Sequence, residues 1–285
     1  MSSTIHRDLR TGCSVWQARR IAPIATQALR RDIAVDVLVI GAGISGAMTG
    51  EALSERGLRV AIVDRRGALN GSTPASTALL QYELDVPLSK LSTRIGRTRA
   101  ERIWRRSRLA LSALNERAKR LGVKADLVER ASLYLQGDEL DAEGLRNEAD
   151  ARRRASFEID FLSEAAVKSR FEMSGRTAIL GYHNFTADPR RLAAGFLNAA
   201  LARGAKIYAP VEIDAVEAHS GGVFAMTKGG PIARARHVVF ATGYEVPKGA
   251  PRHGHKIEST FVIATRPQPR RIWPEGCMIW EASSP

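Results

Sequence analysis

Cysteine is nearly absent from this sequence: Cys13 and Cys277 are the only two in 285 residues. They stand far apart and have no partners at metal-ligand spacing. That argues against a disulfide framework and a zinc site and points to a reducing, cytoplasmic setting. Long apolar runs are missing as well. The longest, Val37 to Ile44, already holds two glycines and falls far short of the roughly 20 residues that a membrane-spanning helix needs, so no membrane partner is expected. Residues 1–30 carry Arg7, Arg10, Arg19, Arg20 and Arg30 but no apolar core with a small-residue cleavage site. A secretory signal is therefore not expected, although the arginine-rich, acid-poor composition is also that of a mitochondrial transit peptide. Acidic residues are in short supply, 30 against 43 Lys and Arg, for a net charge of +13. Such a surplus suits nucleic-acid binders. Its densest run, residues 97–108, however, lies on a helical pattern with Trp104, Leu111, Leu114, Ala118 and Leu121 on the apolar stripe. Arg102, Arg105 and Arg106 fall on other faces, which reads as a solvated helix surface, and no nucleic-acid module accompanies it.

At 44% hydrophobic the chain can bury one large core or two smaller ones. Residues 34–40 form a β-branched run of buried-strand character, a helix is predicted over 45–56 with Gly57 as its stop, and a second strand covers 59–64. Strand, helix, strand is one βαβ unit. Residues 67–87 are rich in Gly, Ser, Thr and Pro and read as a loop; a helix follows over 97–121. A strand is then expected at 131–136, a charged helix at 141–156, a strand at 157–161 and a short helix at 164–171. Asp188 and Pro189 open another helix that Gly204 closes, and strands are expected at 206–208, 212–218, 223–227, 233–240, 258–265 and 278–280. The expected organisation is an extension over 1–32, a nucleotide-binding domain from 33–124 and 186–247, and a second domain from 125–185 and 248–285.

The first strand runs into Gly41-Ala42-Gly43-Ile44-Ser45-Gly46, a G-x-G-x-x-G in the strand-to-helix turn where the motif has mechanical meaning. Gly41 permits the turn, Gly43 lets backbone approach a pyrophosphate, and Gly46 lets helix and strand pack closely. A diphosphate there sits at a helix N-terminus, where unpaired amides and the helix dipole favour negative charge. Asp64 follows about 20 residues on, at the end of the second strand, placed to accept from ribose hydroxyls and to repel a 2′-phosphate.

Those motifs, with Val60 to Arg66 after them, resemble the opening of the D-amino-acid oxidase and glycine oxidase (DAO) superfamily of FAD-dependent oxidoreductases. Gly71-Ser72-Thr73-Pro74-Ala75-Ser76-Thr77-Ala78-Leu79-Leu80-Gln81 is similar to the loop those enzymes place beside the flavin and its diphosphate. Asp188-Pro189 fits the superfamily's D-P-x-x-L segment, and Val238 to Glu245, with its Ala241-Thr242-Gly243, resembles the strand end near the cofactor. The resemblance implies an α/β fold: a Rossmann-like FAD-binding domain, a parallel sheet with helices, plus an incomplete α+β substrate domain with a mixed or antiparallel sheet. It implies FAD as cofactor, held by Gly41, Gly43, Ile44, Ser45, Gly46, Asp64, Arg65, Ser72, Thr73, Ser76, Thr77, Val211, Ala241 and Gly243. The activity it implies is oxidation of the C–N bond of an amino acid or secondary amine by hydride transfer to the flavin, which needs no dedicated base once the amine is neutral. Superfamily members run on beyond the equivalent of Pro285, so the chain is expected to be truncated before the part that completes the active site, and to expose unpaired strands there.

No catalytic residue is assigned. Tyr182 and His183 precede the return to the nucleotide domain, Arg266 follows an apolar strand, and His253 and His255 flank Gly254 without acid or cysteine partners. Each has a bland reading as an ordinary surface or core residue, and no metal is expected. A small-molecule amine or amino acid is the expected partner. Two other readings compete with the enzyme: a catalytically silent remnant that at most binds the dinucleotide, and an NAD-dependent Rossmann protein, which the loop at 71–81 disfavours.

Overall fold

The computed structural model describes residues 3–5, 7, 12–248, 262–263, 265–266 and 276–283. His253, His255 and most of the strand expected at 258–265 lie outside them. Along the chain come β1 (Ile33–Ile40), α1 (Ile44–Glu55), β2 (Val60–Val63), β3 (Leu79–Leu80), α2 (Leu88–Ile95), α3 (Arg97–Arg120) and β4 (Val128–Leu135). Next are α4 (Ala142–Arg154), β5 (Ile159–Leu162), α5 (Glu164–Phe171), β6 (Ala178–Thr186), α6 (Pro189–Ala202), β7 (Lys206–Tyr208), β8 (Ile213–His219), β9 (Gly222–Thr227), β10 (Ile232–Phe240) and β11 (Cys277–Glu281).

The described residues of Met1–Thr77, Ala118–Ala125 and Asp188–Ile263 form one compact unit, and those of Ala78–Arg117, Asp126–Ala187 and Ala264–Pro285 form another. This differs from the expected division at 1–32, at 78–117 and at 248–263, where the described residues Lys248, Val262 and Ile263 fall in the first unit. Residues 78–117 fall in the second unit because Tyr82, Leu88, Ala100, Trp104 and Leu111 bury their side chains in its core. The N-terminal residues are part of the first unit, not an appendage, since Gln27 donates to Ile207 and accepts from Ala209, extending the sheet by one pairing.

In the first unit the six strands are ordered β7-β2-β1-β10-β9-β8. The first four run parallel, and β9 turns back antiparallel on β10 with β8 antiparallel to β9. Leu38, Val39, Ala61, Ile62 and Val63 are fully buried. Burial on both faces is why Val37–Ile40 of β1 and all of β2 read as unbroken apolar runs and not as alternation. The α6 helix starts at Asp188, whose Oδ1 accepts from the backbone N–H of Arg190 and Arg191, with Pro189 in the first turn.

The second unit is built on β6. One of its edges pairs antiparallel with β4, the other with β5 and β3 end to end, and β11 adds parallel to β4, so the sheet is mixed. The sequence pattern predicts neither β6 nor α2. In β6, Gly181 and a left-handed His183 (φ 64°) interrupt the alternation that marks a strand. In α2 the cap is non-local: Glu148 of α4 accepts from Leu88 N at 2.9 Å and Ser89 N at 2.7 Å. Glu148 also pairs with Arg152 at 2.7 Å, and both side chains are buried. The Arg152 guanidinium stacks over Trp104 and Tyr134, at 4.8 and 5.2 Å from the ring centres. Burial raises the Glu148 carboxyl, but the Arg152 charge and the hydrogen bonds from Ser89 and Arg152 outweigh it and hold the group below the usual carboxylate range.

Candidate functional site

At the C-terminal ends of β1, β2 and β10 the first unit opens a cleft of about 740 Å³ of empty space, open solvent included. Open sheets with helices bind ligands at that end of their strands. Gly41, Gly43, Ile44, Ser45, Asp64, Arg65, Ser72, Thr73, Val211, Ala241 and Gly243 all line it. Gly46 lies buried beneath the turn, and Ser76 and Thr77 stand outside the lining; the Ser76 carbonyl accepts from Trp16 Nε1 at 2.8 Å.

The turn is held from both neighbouring strands. Gly41 N donates to Val63 O and Ala241 N to Ile40 O, each at 2.8 Å. Gly41 has φ 114°, and a Cβ there would come 2.4 Å from Ala241 O; a Cβ on Gly46 would come 1.8 Å from Gly41 O. Both glycines are therefore demanded by the protein itself. Gly43 differs. Its backbone is extended, and a Cβ would crowd only the Thr73 hydroxyl, at 3.0 Å, a side-chain atom and not backbone. Gly43, the N-cap residue, offers no side-chain cap; the first helical amide, Ile44 N, donates instead to Thr73 Oγ1 at 3.0 Å.

Asp64 is engaged within the protein more than the sequence suggests. Its Oδ2 accepts from Ala42 N at 2.8 Å, and Oδ1 from Arg66 N at 2.8 Å and Gly67 N at 3.1 Å. Ionised carboxylate oxygens carry two acceptor positions each, so Oδ2 keeps one after binding Ala42. Val211 N donates to Asp64 O, which brings the wall at Val211 to Ile213 beside the acid.

Sequence reasoning missed the other end of the cleft. Glu245, 5% exposed, accepts from Arg65 and binds Arg66 through two hydrogen bonds, at 2.6 and 2.7 Å. Burial raises this carboxyl, yet the Arg66 hydrogen bonds, the Arg7 amide and the arginine charges hold it below its ordinary range. Arg65 Nη1 is buried without a hydrogen-bond partner among the described residues. Ser3 and Thr4 also line the cleft. Glu245 carried a local signal, being two residues beyond Gly243; Ser3 and Thr4 carried none, because their partners lie some 210 residues away.

The remaining polar candidates stay in the second unit. Tyr182 donates to Asp160 at 2.5 Å, and His183 lies between Glu129 at 3.0 Å and Glu158 at 3.1 Å. Arg266 is exposed. Among the described residues no group of three or more His, Cys, Asp or Glu is placed to hold a metal, and no helix is long and apolar enough to cross a membrane.

Comparison with known proteins bears on the same segment. Over residues 36–282 the sequence matches the family model for FAD dependent oxidoreductases, DAO. It is 21% identical over 252 residues to the putative Rieske 2Fe-2S iron-sulfur protein YhfW of Bacillus subtilis, covering 87% of this chain and 48% of that protein. It is 27% identical over 217 residues to glycine oxidase of Geobacillus kaustophilus, covering 73% of this chain and 54% of the oxidase. The crystal structure of that oxidase superposes with a TM-score of 0.61 at 24% identity, covering 73% of this chain and 55% of the oxidase chain. The amino acid oxidase NikD superposes with a TM-score of 0.57 at 25% identity, covering 73% and 51%. The chain spans about half the length of these relatives. With its Rossmann-like first unit and mixed-sheet second unit, matched over most of its length, the chain belongs to the DAO family of FAD dependent oxidoreductases.

Proposed function

We propose that the cleft of the first unit binds FAD, and that the protein serves the oxidation of the C–N bond of an amino acid or secondary amine. The observation that carries the binding reading is Gly43. A Cβ there would crowd one side-chain hydroxyl, that of Thr73, where Gly41 and Gly46 are closed off by backbone oxygens, and a diphosphate lying against the start of α1 needs the room that Gly43 leaves. The residues present fit the group. Gly43, Ile44, Ser45 and Thr73 would hold the diphosphate, Asp64 Oδ2 would accept from a ribose hydroxyl, and Arg65 Nη1 supplies a buried donor with no acceptor among the described residues. Ser72 and Gly243 would lie toward the flavin half; Ser76 and Thr77 would act through the loop, since they do not line the cleft.

When bound, FAD supplies the hydride acceptor that no amino-acid side chain offers. The chain's own residues bind and orient it: backbone amides meet the phosphate charge, and Asp64 disfavours a 2′-phosphate by repulsion. The substrate class follows the names of the relatives, glycine oxidase and an amino acid oxidase.

The test is a titration of purified protein with FAD and separately with NAD, followed by desalting and an absorbance scan. Retained flavin absorbance supports the reading, and retention of NAD in place of flavin overturns it. Dye reduction across a panel of amino acids then separates an oxidoreductase from a protein that binds FAD without turnover.

A further inference from the structure

Near the N-terminus, Ser3 and Thr4 reach the cleft. Ser3 is paired on both sides: its N–H donates to Ile213 O at 3.1 Å, its Oγ to the same oxygen at 2.9 Å, and its carbonyl accepts from Lys248 N at 2.9 Å. Ile5 N donates to Val246 O at 3.2 Å, and Thr4 forms an antiparallel bridge with Pro247. One partner, Ile213, belongs to the wall at Val211 to Ile213; the others follow the wall at Ala241 to Glu245. Both walls line the cleft, as do Ser3 and Thr4, and Thr4 is 7% exposed. Arg7 N then donates to Glu245 Oε1 at 3.0 Å. The same carboxylate holds Arg65 and Arg66, next to the acid expected at the ribose. Arg65 Nη1, a buried donor with no partner among the described residues, stands in this lining.

We propose that Ser3, Thr4 and Ile5, with Arg7, form a binding strap for the adenosine end of the dinucleotide, joining the two walls of the cleft, with Glu245 as the positioning residue that ties the strap to Arg65 and Arg66. The proposal rests on the FAD reading above. A ligand enclosed by a strap paired on both edges leaves only when one edge opens. The strap therefore acts chiefly on the rate of release, in line with the general rule that differences among related complexes lie in dissociation.

Two variants break the strap in different ways. Ile5→Pro removes the N–H that bonds Val246 without touching the sheet core. Glu245→Gln removes the charge that gathers Arg65, Arg66 and the Arg7 amide. FAD release is followed by the rise in flavin fluorescence on dilution, with far-UV circular dichroism as the folding control, and amide exchange of the N-terminal peptide is measured with and without FAD. The expected result is release at least tenfold faster in both variants and slower exchange of the Ser3 and Ile5 amides when FAD is present. Release at the parental rate in either folded variant, or exchange unchanged by FAD, overturns the strap while leaving the FAD reading intact. A parent protein that retains no FAD at all overturns the reading itself, and the strap with it. Should Glu245→Gln not fold, Ile5→Pro and the exchange measurement decide.

Discussion

The two units place most of their buried polarity differently, although Glu51 and Asp188 are sealed inside the first as well. In the first, the polar groups that matter gather at strand ends around an open cleft, and many of them are backbone: the amides of the glycine turn and the start of α1. In the second, charges are sealed inside. Glu148 and Arg152 are buried, and Arg152 Nη1 and Nη2, Glu83 Oε2, Tyr82 Oη and Trp104 Nε1 have no hydrogen-bond partner among the described residues. Buried polar atoms are normally satisfied by protein or water, so the second unit concentrates a large desolvation cost in its core. A unit that places polarity at a cleft can change its side chains there with modest loss of stability; one that seals it inside cannot.

The largest expected effect comes from breaking the sealed pair. Arg152→Ala strands Glu148 without its counter-charge and removes the plane over Trp104 and Tyr134, at a cost of about 3–5 kcal/mol. Chemical denaturation of parent and variant measures it, and a loss below about 1 kcal/mol would contradict the pair's structural role. Next is Gly46→Ala, whose Cβ meets the Gly41 carbonyl at 1.8 Å; overpacking of this kind costs about 1–3 kcal/mol and is read from the same curves.

A pH series sharpens the contrast. Burial raises the Glu83 carboxyl, only partly offset by Arg152 and by hydrogen bonds that include Asn184. An acid raised in the folded state binds more protons folded than unfolded, so its contribution to stability is present at low pH. It is lost as pH rises from the unfolded carboxyl value, about 4.3, through the folded one. Glu148, held low, works in the reverse sense: its contribution is present above the unfolded value and lost as pH falls through the folded one. Glu83→Gln should flatten the first slope and raise stability at neutral pH, measured by denaturation at a series of pH values. The smallest stability effect is expected at Gly43→Ala, within about 1 kcal/mol as for an N-cap change, yet FAD retention after desalting should fall sharply. Loss of binding with little loss of stability at Gly43, against a clear loss of stability at Gly46, would divide the motif into its ligand half and its packing half.

Much of the first unit was legible because its signals are local. The strand, turn, helix and second strand lie within residues 33–63, and each glycine's spacing has one mechanical reading. The predicted boundaries of α5 and β7 match the structure for the same reason: short periodic segments with a capping serine or a glycine stop carry their own limits. In the second unit β6 was illegible. A central strand interrupted by Gly181 and a left-handed His183 has no period to detect, and its pairing to β3, β4 and β5 is made by segments far away in the chain.

The sequence by itself determined that a βαβ unit opens on a glycine turn with an acid at the next strand end, since turn sterics and helix-end electrostatics act over a few residues. Only the tertiary structure decided that residues 78–117 leave that unit, that Asp64 also accepts from Ala42, Arg66 and Gly67, and that Ser3, Thr4 and Glu245 complete the cleft wall. The physical reason is the same in each case. Burial and hydrogen bonding between residues tens to hundreds of positions apart depend on which surfaces meet after the chain has folded, and no local pattern of residues records that meeting.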